Sequence, residues 1–89
     1  MWRDAITPYA VALRSLLDAG ELDGRTGPDL PPGLDLATAT RIALGDLEDL
    51  RHLAAMRPVS EARWGGVLLD LMSLHDSARP YGPAPRLTA

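Results

Sequence analysis

The chain has no cysteine, lysine, asparagine, glutamine or phenylalanine, and Trp and Tyr supply only two residues each. Without cysteine there can be no disulfide, no cysteine-ligated zinc and no thiol nucleophile. No segment approaches the roughly 18 apolar residues that a membrane-spanning helix needs, because Asp and Arg interrupt every hydrophobic run. A charged start followed by an unbroken apolar stretch, the mark of a signal peptide, is also missing, so a cytoplasmic setting is expected.

All nine basic residues are Arg. Guanidinium forks bind phosphate bidentately, which would suit a nucleic-acid surface. The net charge of -3 and a pI of about 5.1 argue against that use. The missing residues are mostly those with AT-rich codons, so the bias reads as base composition and not as a phosphate surface.

What remains is the composition of one small globular domain: 89 residues, 46% hydrophobic and 24% charged. Chains this short bury a smaller fraction of their surface than larger domains do, so the fold is expected to gain from a partner, a metal or self-association.

Punctuation divides the chain into three helical segments, one connector and a tail. Trp2, Ile6, Tyr9, Leu13, Leu16 and Leu17 recur at spacings of three and four, predicting a helix over about 3–19 that stops at Gly20. Pro8 either opens that helix behind a Thr7 cap or sits in the opening turn of a helix begun near Asp4, and the phase of Trp2 and Ile6 favours the longer helix. Residues 20–34, GELDGRTGPDLPPGL, hold four Gly and three Pro and read as an irregular connector, pinned by Leu22, Leu30 and Leu34. A second helix is expected over about 36–57, capped by Asp35 and ended by Pro58. Its stripe centres on Leu36, Ala39, Ala43, Leu47, Leu50 and Ala54, with Ile42, Leu44 and Leu53 on the flanks. Asp46 falls inside that apolar arc. The third helix, about 61–79, has Ser60 as cap, Val59 placed to staple onto Trp64, and Pro80 as its stop. Trp64, Val67, Leu68, Leu71, Met72, Leu74 and Ala78 form its apolar face, which His75 shares. The remaining 80–89 segment reads as an extended, polyproline-prone tail.

The expected fold is therefore all-α: a small three-helix bundle over 1–79, with a Gly/Pro-rich linker between the first two helices. Trp2, Leu47, Trp64 and Leu71 are its expected core anchors.

Few constellations carry chemistry. Asp46 and His75 stand on the apolar stripes of adjacent helices, and with side-chain reach they would form a buried polar pair or half of an acid–base dyad. Together with Tyr9 or Arg14 they are the only candidates for a catalytic cleft, and no nucleophile accompanies them, so the chain is not expected to be an enzyme. Glu48 and His52 share a helix face, but two ligands do not make a metal site. The acidic residues around the connector, Asp18, Glu21, Asp23 and Asp29, lack the ligand order of a calcium loop. No phosphate-binding glycine motif is present, and neither cofactor nor metal is expected. Ala62, Gly66, Ser73 and Ser77 trace a strip of small residues on which another helix could pack closely.

Two functional readings follow. The first is a small helical protein–protein interaction module, self-associating as a homodimer and acting as an accessory or regulatory subunit. The second is a helix-turn-helix DNA-binding regulator using the 50–72 segment, with Arg57 and Arg63 on phosphates. Glu61, Asp70 and Asp76 on the would-be recognition helix oppose it, which makes nucleic acid the weaker expectation.

Overall fold

The computed structural model describes residues 2–27 and 30–78; the side chain of Trp2, an expected anchor, and the 80–89 tail lie outside the described residues. Three helices account for most of it: α1 (Trp2–Asp18), α2 (Leu36–Met56) and α3 (Glu61–Ala78), with no strand among the described residues. The chain is an all-α three-helix bundle.

Local chemistry sets each helix boundary. Pro8 lies inside α1, where it cannot donate to the carbonyl of Asp4, and the helix continues through it. At the far end Gly20 takes φ +75°, its N–H donates to the Leu17 carbonyl, and the N–H of Glu21 reaches back to Leu16, both at 3.0 Å. This double closure is the Schellman arrangement, and it needs a residue without Cβ strain at Gly20. Asp35 caps α2 by accepting from the Thr38 N–H at 2.9 Å. Ser60 Oγ accepts from the Arg63 N–H at 3.3 Å to start α3, and Val59 packs half-buried against the core.

The connector is tied to the bundle at both ends. Leu22 is fully buried and Leu30 packs against the core. The Arg25 guanidinium donates to the carbonyls of Ser77 and Ala78 at 3.2 and 3.3 Å, closing the C-terminus of α3. Its own carbonyl accepts from the Leu36 N–H at 2.6 Å, and the second carboxylate oxygen of Asp35 accepts from Gly24 N–H. A segment too rich in Gly and Pro to form a helix thus supplies partners for the orphan groups of two helix ends.

The core gathers Ile6, Leu13, Leu36, Leu44, Leu47, Leu50, Trp64, Leu68 and Leu71 from all three helices. α1 packs more extensively on α3 than α2 does. Two side-chain contacts set its direction: Arg3 lies over the Trp64 ring at 4.9 Å, and Tyr9 meets His75 edge-on at 5.5 Å. The contacts follow the same order along both helices, so α1 runs parallel to α3. The tight turn at 57–60 sends α2 the opposite way.

One expectation needs correction. The buried face of α2 is Leu36, Ala37, Thr40, Leu44, Leu47 and Leu50. At 100° per residue this is turned by about 50° from the stripe read in the sequence. The turn brings Thr40 inside and puts Ile42 and Asp46 outside. Magnitudes explain it: exposing Ile42 forgoes about 1.5–3 kcal/mol of burial, whereas an unpaired carboxylate in the core costs several kcal/mol and outweighs it. Burying the neutral Thr40 hydroxyl is the smaller penalty.

Candidate functional site

The rotation of α2 decides what becomes of the expected polar pair. Asp46 is exposed on the α2 surface, while His75 is half-buried and packs on Tyr9 of α1. The structure does not bring the two together. With Asp46 facing solvent, no carboxylate from α2 reaches the imidazole, and the edge-on aromatic contact takes its place.

Asp46 instead lines an open groove of about 560 Å³ between α2 and α3, together with Asp49, Leu50, Leu53, Arg63 and Val67. The turn at 57–60 folds α3 back along α2, setting the second half of α2 level with the first turns of α3. Leu50 is buried at the base, with Leu53 and Val67 half-buried above it. Asp46 and Asp49 stand exposed on the α2 rim, and Arg63 stands exposed on the α3 rim.

None of these three charges forms an ion pair or side-chain hydrogen bond with any described residue. Nor does helix stability account for Arg63, which occupies the third position of α3, where the helix dipole favours an anion. Among the described residues nothing makes use of a cation there. Ile42 and Met56 extend the same side of the groove, since residues 42, 46, 49, 53 and 56 follow one another at spacings of four and three along a single ridge of α2. Both are large and unpartnered, at 54% and 78% exposure.

The other expected sites have simpler positions. Leu47, Trp64 and Leu71 are buried in the core. Glu48 pairs with Arg51 at 3.1 Å on the exposed face of α2, and His52 is exposed nearby. No group of three or more His, Asp or Glu converges among the described residues. Ala62, Gly66 and Ser73 are exposed on α3, but the fourth member of that strip, Ser77, is half-buried beneath the connector. A Cβ on Gly27 would lie 3.1 Å from Ser77 Oγ, so the close backbone approach at this end is made by the chain itself. Only open space surrounds Gly66.

Thr40 was not legible as a special position. It is fully buried and its hydroxyl oxygen has no hydrogen-bond partner. Its small size next to Ala39 and Ala43 was the only hint, and it pointed to packing alone.

No helix among the described residues is long and apolar enough to cross a membrane. No protein-family model, curated protein or solved structure matches the chain. The reading of the site therefore stands on its geometry.

Proposed function

We propose that this chain is a small helical protein–protein interaction module, working as an accessory or regulatory subunit in the cytoplasm, and that its docking face is the α2/α3 groove. The observation that carries the reading is the exposure of Ile42 and Met56 on the ridge that also bears Asp46 and Asp49. Single exposed apolar residues mean little; two large ones flanking a groove with an apolar base are the pattern of a contact surface. Unpaired charges at the rim fit the same role, because rim charges steer and orient a partner more than they hold it.

The reading is tested with an Ile42→Asp/Met56→Asp double variant of the full chain. Both side chains are largely solvated, so the variant should keep its helical circular dichroism and its melting temperature. Wild-type protein is expected to associate, with itself or with a discrete protein retained from a native lysate, and the double variant to lose that association. A wild-type chain that stays monomeric and retains nothing would overturn the reading. So would a double variant that retains the same set of proteins.

A further inference from the structure

The groove carries opposite charges on opposite walls, and this arrangement is complementary to itself. We infer that the occupant of the α2/α3 groove is a second copy of this chain, docked about a two-fold axis that runs along the groove, parallel to the helices. The inference rests on the docking reading above and names the partner of that same face.

The axis follows from the positions of three residues. Asp46 and Asp49 on the α2 wall and Arg63 on the α3 wall line one groove, with Arg63 beside the end of α2 and the aspartates about 8–12 Å further along it at 1.5 Å per residue. Rotation about an axis along the groove keeps each residue's position along it and exchanges the walls. Arg63 of each copy then faces the acidic α2 wall of the other, with Asp49 within reach of its long side chain, whereas among the described residues of one chain these charges have no partner. An axis across the groove would stack α2 on α2 and crowd four carboxylates together, an arrangement that like-charge repulsion opposes. Two-fold pairing is also the commonest route to a closed assembly, since each residue contact occurs twice. A uniformly basic partner would meet Arg63 and a uniformly acidic one would meet the two aspartates, whereas a second copy sets an acidic wall against Arg63 and a basic one against the aspartates. Ile42 and Met56 stand on the same α2 ridge as the aspartates and so come against the α3 wall of the other copy.

A charge swap tests this directly. Arg63→Glu and Asp46→Arg/Asp49→Arg alter only exposed side chains without ion pairs, so both proteins should fold as the wild type does, checked by circular dichroism. Sedimentation equilibrium of the full chain, from micromolar to millimolar concentration, should give the wild type a mass near twice 9.6 kDa. Each variant alone should dimerise at least about tenfold more weakly, because like charges then face each other at every contact. An equimolar mixture of the two should recover the dimer as a mixed species, visible by native mass spectrometry, since the new carboxylate on α3 of one copy would meet the two new arginines on α2 of the other. A wild type that remains at 9.6 kDa, an Arg63→Glu protein that dimerises as tightly as wild type, or a mixture that stays monomeric would each overturn the proposal. If the wild type stays monomeric yet binds another protein that the Ile42→Asp/Met56→Asp variant does not, the docking face stands and only the second copy is excluded.

Discussion

The guanidinium of Arg25 donates to the carbonyl oxygen of Ser77, 52 residues further along the chain, at 3.2 Å. Through this contact and its neighbour to Ala78, a residue in the connector closes the end of α3. Both acceptors are carbonyls at a helix C-terminus, where the dipole favours a cation. Arg25→Gln should therefore destabilise the bundle by about 1.5–3 kcal/mol, the range for hydrogen bonds from a charged donor in a partly buried site. Urea unfolding checks this. A variant with an unchanged midpoint and slope would show that the connector contributes nothing to the closure of α3.

Asp35 should make stability depend on acid. The Thr38 hydroxyl, ahead of the backbone N–H groups of Gly24 and Thr38, lowers its pKa to about 2. The unfolded carboxyl titrates at about 3.9. Because the folded value is the lower one, the charged form favours folding, and this contribution is fully present above about pH 4 and lost as pH falls toward about 2. Melting temperature followed across that window should drop in the wild type and drop less in Asp35→Asn, which retains a capping oxygen but no titrating charge. Parallel curves for the two proteins would show that Asp35 does not couple to folding.

Much of this fold was legible because its signals are local. Gly20, Asp35, Ser60 and Pro58 mark helix ends by backbone chemistry that does not depend on what packs nearby, and all three helices fall where those residues place them. The rotation of α2 was legible only in its cause: Asp46 stands on the same helix as Ile42 and Thr40, and because it must face water the rest of the helix turns with it, exchanging the exposure of those two. The connector misled in the same way. Its Gly and Pro content correctly denies it a helix, but nothing in that composition says that Arg25 will meet Ser77, a partner defined only once α1 and α3 lie side by side. The groove was half legible: its charged residues were visible, but Asp46 was matched to His75 because the sequence alone could not say which wall it would face.

Thr40 offers a test of the rotated stripe. Its hydroxyl oxygen is buried without a partner, and such an oxygen forfeits the hydrogen bonds it would make in water. Val has nearly the same shape and no polar atom, and helix propensities hardly separate the two. Thr40→Val should therefore stabilise the protein by about 1 kcal/mol, read as an upward shift of the urea midpoint at constant slope. Destabilisation would place a partner at that oxygen. No change at all would place position 40 at the surface, with α2 in the orientation first read from its sequence.

Two glycines should respond to alanine in opposite senses. Gly20 holds φ +75° at the end of α1, a region in which a Cβ clashes with the following carbonyl, so Gly20→Ala should cost about 1–2 kcal/mol. Gly66 lies within α3, where an added Cβ would meet nothing within 4 Å, so Gly66→Ala should gain up to about 1 kcal/mol through helix propensity. The second substitution also separates two faces of α3. If Ala62, Gly66 and Ser73 formed a close-packed interface, a methyl group at position 66 would weaken self-association even as it stabilised the folded chain. If docking uses the side of Arg63 and Val67, as proposed, thermal stability should rise and the dimer constant should stay the same. A stabilised variant that sediments as a monomer would move the interface to the outer strip of α3.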